Sequence, residues 1–162
     1  MLVVRDTSPI RALQALHLVS LVEQMFTRVY IPPAVVHELS VAAPIIGPFN
    51  VSEYPCFITQ APKDRSRVAE LLIELNTGEA EALALALELQ ADTVLIDESL
   101  GRRVAVRLGL KTTGVLALLV RAKANGHVPE VAPLLDQLNA TINFRISPAL
   151  RARVLRDAHE ID

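Results

Sequence analysis

The sequence predicts an α/β protein, a three-layer α/β/α arrangement in which a central parallel sheet carries helices on both faces. Three observations carry that prediction. Short apolar segments rich in β-branched residues alternate with longer segments of helical periodicity along most of the chain. The composition is 51% hydrophobic but only 4% aromatic, an aliphatic balance suited to layers of sheet and helix rather than to a base-stacking surface. At 162 residues the chain is most simply one domain, 1–162, able to bury a sizeable core, with a C-terminal helical part from about 129 to 162.

Leu2-Val3-Val4 reads as a short buried strand. Thr7-Ser8-Pro9 is a helix start, a capping hydroxyl followed by a proline suited to the first turn. The helix that follows places Ile10, Leu13, Leu16, Leu18 and Leu21 mostly on one side. Phe26 to Ile31 is a second strand, and Pro32-Pro33 open a helix carrying Val35, Val36 and Leu39. Between Val41 and Pro62 the helical pattern fails at Pro44, Gly47, Pro48, Pro55 and Pro62, with an edge strand expected at Cys56-Phe57-Ile58-Thr59. Lys63 to Leu75 is helical again and is broken by Asn76-Thr77-Gly78; Glu79 to Leu89 is the strongest helical pattern in the chain. Thr93 to Ile96 is a buried strand, Ser99 to Leu108 a helix and Leu110 to Thr113 a short strand. Helices over Val115–Asn125, Val131–Asn139 and Ala149–His159 complete the order.

Several function classes are excluded. A net charge of -2 and a pI near 6.1 provide no global basic field, so any contact with nucleic acid must be local. Cys56 is the only cysteine, which rules out an internal disulfide and a thiolate zinc site. His17, His37, His127 and His159 lack paired metal-ligand spacing and read as structural or surface residues, and no glycine-rich phosphate loop is present. Met1 to Val4 is too short for a signal-peptide core, and no apolar run reaches the roughly 18 residues of a membrane helix. The expectation is a cytoplasmic protein without membrane contact. A mean hydropathy of +0.36 hints at an apolar partner surface or a homodimer.

Four acidic residues stand where apolar segments end: Asp6, Glu38, Glu79 and Asp97. In an open α/β sheet that rim is where ligands bind. Carboxylates gathered there repel, by about 4 kcal/mol for a pair ~4 Å apart at an effective dielectric of about 20. Protons or a cation must compensate them, and such oxygen ligands suit Mg²⁺ or Mn²⁺. Each residue also has an ordinary explanation. Asp6 serves equally as a helix cap, Glu38 as a solvated residue, Glu79 and Glu81 as first-turn acids favoured by the helix dipole, and Asp97 and Glu98 as caps of the helix bearing Arg102 and Arg103. Helical spacing puts Glu79 with Ala82, Leu83 and Ala86 on the apolar side, and Glu81 with Ala84, Leu85 and Glu88 on a mixed one. Glu79 therefore ranks ahead of Glu81 as a ligand.

Four segments, in order, resemble the motifs of PIN-domain proteins: Val4-Arg5-Asp6-Thr7-Ser8-Pro9, Ile31-Pro32-Pro33 with Val36-His37-Glu38, Gly78-Glu79-Ala80-Glu81-Ala82-Leu83-Ala84-Leu85-Ala86, and Val94-Leu95-Ile96-Asp97-Glu98. The chain is most similar to the prokaryotic PIN-like branch related to VapC-type toxins, as are Arg102-Arg103-Val104-Ala105 and Lys111-Thr112-Thr113-Gly114-Val115-Leu116. The resemblance covers nearly the whole chain. It implies a PIN-like fold and a metal-dependent ribonuclease site in which Asp6, Glu38, Glu79 and Asp97 hold Mg²⁺ or Mn²⁺. Glu81 and Glu98 would assist, and Thr7 or Ser8 would stand near the metal. Where the family often has a second aspartate this chain has Glu98, and the basic residue common near Ser99 or Leu100 is lacking. Toxin-type members commonly have aspartate where Glu79 stands.

The leading expectation is thus an endoribonuclease acting on RNA, with the toxin of a toxin–antitoxin pair as its expected role, and a homodimer. Arg102 and Arg103, one turn past Asp97, would hold flanking phosphates, together with Thr7 and Ser8. The competing expectation is a binding or regulatory module with a weak or dead site. Asp6-Thr7-Ser8 also suggests aspartyl-phosphate phosphatases, which need a second aspartate where Ser8 stands. Arg151, Arg153 and Arg156 make a basic C-terminal helix, either a solvated face or a contact for RNA or an acidic partner.

Overall fold

Alternation of side chains across a pleat sends Leu2 and Val4 to one face of a strand and Val3 to the other. Because all three are fully buried, that strand must lie inside a sheet covered on both sides. The computed structural model, which describes residues 1–4, 6–41 and 43–162, has this arrangement. Arg5 of the N-terminal motif lies outside the described residues. The strands are β1 (Leu2–Val4), β2 (Val29–Ile31), β3 (Phe57–Thr59), β4 (Thr93–Leu95) and β5 (Thr112–Thr113), all parallel in the order β3-β2-β1-β4-β5. The expected edge strand is indeed at the edge. Helices α1 (Thr7–Ala15), α2 (Ser20–Met25), α3 (Pro33–Ser40), α7 (Val115–Ala124), α8 (Ala132–Ile142) and α9 (Pro148–Asp157) share a core with Leu2, Val4 and Leu95. On the opposite face α4 (Arg65–Leu71), α5 (Thr77–Glu88) and α6 (Ser99–Arg107) pack against Val3, Val94 and Ile96. Burying each such Val, Leu or Ile side chain contributes roughly 1.5–3 kcal/mol relative to exposure, and both helical layers are held by it.

The strand order changes direction at β1: β2 and β3 extend to one side, β4 and β5 to the other. The crevice outside the carboxyl ends of β1 and β4 is therefore the topological switch point, the favoured ligand position of an open α/β sheet. Val4 pairs with Leu95 in that register, and the same offset carried two residues further sets Asp6 against Asp97.

The expected long first helix is two helices. Leu16 caps α1, His17 takes a left-handed φ of 56°, the His17 amide donates to the Gln14 carbonyl, and the Leu18 amide donates to the Leu13 carbonyl at 2.8 Å. That is a Schellman termination, and the sequence hides it because histidine occupies the position that glycine usually marks. The helix also begins at Thr7, with Asp6 rather than a hydroxyl residue at the cap position. Phe26 ends α2 and does not join β2, and α4 stops at Leu71 short of the expected Leu75.

Helix α8 has no side-chain cap of its own. Glu160, beyond α9, reaches back: it accepts from the Ala132 amide at 2.9 Å, from the Val131 amide, and from Lys123 Nζ at 2.8 Å. Burial opposes the charged form, but the Lys123 ammonium and the two amides outweigh it and hold the Glu160 carboxyl below the usual glutamate range. A depressed native value means stability that is present above the ordinary glutamate pKa and is lost as pH falls through the native one. Glu160→Gln is expected to cost about 2 kcal/mol at neutral pH, lowering Tm by about 4–8 °C, with the deficit vanishing in acid. Thermal melts at both pH values check this; equal deficits in both would remove the charge as the cause. Aliphatic side chains left exposed include Ile45, Ile73 and Val106.

Candidate functional site

Asp6 stands at the cap position of α1, yet its side chain makes no capping hydrogen bond there. It crosses the switch point, where Oδ2 accepts from the backbone amides of Asp97 at 3.0 Å and Glu98 at 3.2 Å. Asp97 is half-buried behind it. Its Oδ1 accepts from the Val115 amide at 2.9 Å, while Oδ2 is buried and has no hydrogen-bond partner among the described residues. Burial is the main cause that raises the Asp97 carboxyl to about 6; the Val115 amide and Arg102 pull it down, and Asp6 pushes it up. Gly114, between β5 and α7, makes room for this carboxylate. A Cβ there would lie 2.5 Å from Asp97 Oδ1 and 2.8 Å from Arg102 Nη2.

A polar cleft of about 210 Å³ opens beside Asp6, lined by Thr7, Ser8, Glu38, Asn76, Gly78, Glu79 and Glu98. Four elements build it: the turns after β1 and β4, the last turn of α3, and the first turn of α5. Gly78 lies close enough to Glu38 that a Cβ would stand 3.2 Å from Oε1. Glu79 closes a capping box: its Oε2 accepts from the Asn76 amide at 3.0 Å, and Asn76 Oδ1 accepts from the Glu79 amide at 2.9 Å. Glu98 caps α6, accepting from the Leu100 and Gly101 amides at 2.7 Å each. Of the expected ligands, then, Asp6, Glu38, Glu79 and Glu98 share the cleft with Thr7 and Ser8. Asp97 joins them through its amide contact with Asp6.

Glu81 does not line this cleft. It is the buried glutamate of α5, 9% exposed, and it pairs with Arg65 Nη1 at 3.1 Å. The expected faces of Glu79 and Glu81 are thereby reversed. The reason is that α5 is buried on nearly all sides from Ala80 to Ala86, so apolar neighbours do not mark one face. Arg102 donates Nη2 to the Ile96 carbonyl at 2.8 Å and stands beside Asp97; Arg103 is exposed on the same helix, next to Asp97 and Ser99. The four histidines are exposed.

A family model described as a PIN domain matches residues 2–160. The chain belongs to the PIN-domain family. No curated protein and no solved structure matches it. A PIN domain is a nuclease-type fold whose members are generally divalent-metal-dependent and contact nucleic acid. Among the described residues, no three carboxylates converge closely enough to enclose an ion by themselves. Mg²⁺ does not require that: it commonly keeps several waters and binds through one or two carboxylates plus substrate phosphate. The orphaned, buried Oδ2 of Asp97 next to Asp6 suits such a PIN site, because a buried anionic oxygen without a donor is costly until a cation or proton meets it. Among the described residues no helix is long and apolar enough to cross a membrane.

Sequence reasoning missed Gly114 and the Val115 amide as parts of the site. The available signal was a glycine at a strand-to-helix junction directly after β5, where close backbone approach is one reason for glycine.

Proposed function

We propose that this PIN domain, one domain over residues 1–162, is a Mg²⁺- or Mn²⁺-dependent endoribonuclease. The observation that carries the proposal is the unpartnered, buried Asp97 Oδ2 beside Asp6 at the switch point. Asp6 and Asp97 would hold the ion, with Glu38 and Glu79, which line the same cleft as Asp6, as the further carboxylates of the set. When bound, the ion compensates the scissile phosphate's charge and lowers the pKa of a water for in-line attack. Asp6 is kept in position by two amides, and Asp97 by the third, from Val115, so the ligands are preorganised by backbone rather than by mobile side chains. Arg102 and Arg103 would neutralise flanking phosphates.

A second reading, a nucleic-acid-binding module with a weak site, is favoured by one observation. Glu79 and Glu98 use carboxylate oxygens as helix caps, which leaves fewer donors for an ion. The deciding experiment incubates the full chain with unstructured single-stranded RNA in Mg²⁺, Mn²⁺ or EDTA, with calorimetry and melts in parallel. Expected are cleavage that EDTA abolishes and a melting temperature that rises with metal, by about 2.7 kcal/mol of stabilisation at a hundred times Kd. Binding of RNA without cleavage in either metal makes the second reading correct. A toxin role, an antitoxin partner and a homodimer extend the first reading. A small DNA-binding protein encoded in a neighbouring frame would support the first two, and sedimentation at micromolar concentration decides the third.

A further inference from the structure

A second cleft, of about 500 Å³, begins at Asp97 and Gly114 and runs outward between α7 and α9. Its rim carries Arg102, Arg121, Arg145 and Arg153 against only Asp97 and Asp157, in a chain whose net charge is -2. Apart from Arg102, which donates to the Ile96 carbonyl beside Asp97, these guanidiniums are not held in close ion pairs. Among the described residues Arg145 has no carboxylate partner, and Arg153 approaches Asp157 only at 4.0 Å while 75% exposed. Arg121 lies over the Phe26 ring, 5.2 Å from its centroid, an arrangement that steadies the side chain and leaves its charge available. The floor is apolar, built from Leu116, Val120, Leu150 and Val154, with the half-buried ring of Phe144 beside Arg145.

We infer that this cleft is the path of single-stranded RNA on one side of the scissile phosphate: Arg145 and Arg153 contact backbone phosphates and Phe144 contacts an unpaired base. The inference rests on the nuclease reading for its direction, since the cleft starts at Asp97. A basic rim over an apolar, aromatic floor is the combination by which single strands are held without sequence readout. A duplex does not suit it, because double-stranded RNA is recognised across broad grooves by shape, whereas a pocket of this size accepts unstacked bases. An acidic peptide would use the arginines but leave the Phe144 floor without purpose.

The test measures binding of the full chain to a labelled, unstructured RNA by fluorescence anisotropy in EDTA, across a salt series. Arg145→Ala/Arg153→Ala should weaken binding about tenfold and flatten the plot of log K against log salt by about 1.4, two single-strand phosphate contacts. Arg145→Lys/Arg153→Lys should keep the slope, and Phe144→Ala should lower affinity without changing it. Melts of each variant confirm folding. Unchanged affinity and slope in the folded double alanine variant overturn the inference, as does failure of the wild type to bind. Equal affinity for duplex RNA, or for polyglutamate of the same charge, overturns it too. If the double variant loses binding while the wild type never cleaves, the cleft stands and the nuclease reading falls. If the wild type cleaves and the double variant binds normally, the reverse holds.

Discussion

Asp97→Asn is expected to reduce RNA cleavage by at least about a thousandfold in kcat/KM, about 4 kcal/mol of transition-state stabilisation, while the metal-free protein melts no lower than the wild type. The substitution keeps the shape, and the side-chain oxygen can still accept from the Val115 amide. What it removes is the negative charge on a carboxylate that is half-buried, opposed by Asp6, and left with an orphaned Oδ2. On balance burial and Asp6 outweigh the Val115 amide and Arg102, so the charge is unfavourable for the empty fold and a bound cation would compensate it. Calorimetry should accordingly show metal affinity lost along with cleavage. Wild-type cleavage by a folded Asp97→Asn protein would remove Asp97 from the site, and a large fall in Tm would show that the carboxylate serves the fold instead.

Gly114→Ala should damage both stability and cleavage, through one methyl group. Its Cβ would stand 2.5 Å from Asp97 Oδ1, and the Ile96 carbonyl at 3.4 Å limits retreat on the backbone side. Overpacking of this kind costs about 1–3 kcal/mol. Asp97 must also leave the Val115 amide, and a displacement near 1 Å at a reacting centre costs about a hundredfold in rate. Gly78→Ala is the control for stability alone, because Gly78 lines the cleft beside Glu38. There the Cβ meets Glu38 Oε1 at 3.2 Å, the exposed end of a flexible side chain, and helical alanine regains up to about 1 kcal/mol of propensity over glycine. Gly78→Ala should leave Tm equal or higher. Melting curves and single-turnover cleavage measured side by side decide the matter; a Gly114→Ala protein indistinguishable from wild type would mean that Asp97 is not held in place by this contact.

Most elements were legible because their signals are local. Leu2-Val3-Val4 and Thr93 to Ile96 are apolar runs too short for helices, and Pro33 opens α3 with its fixed φ. The break at His17 was not, since its termination rests on backbone hydrogen bonds from the His17 and Leu18 amides, with no glycine to mark the left-handed position. Asp6 could be marked as acidic and rim-placed, but not relieved of capping duty, because whether its side chain turns to α1 or to the β4–α6 turn depends on strand register.

The amino-acid sequence by itself determined the α/β alternation, the parallel sheet and the set of acids at strand and helix ends, since periodicity and turn chemistry act within a few residues. Only the tertiary structure decided which of those acids meet. The register of β1 on β4 brings Asp6 to Asp97 across ninety-one positions of chain. The packing of α4 on α5 commits Glu81 to Arg65, and the approach of α9 to α7 turns scattered arginines into a cleft. Each of these depends on distances set by packing between elements remote in sequence, where a carboxylate's role follows from the donor that reaches it.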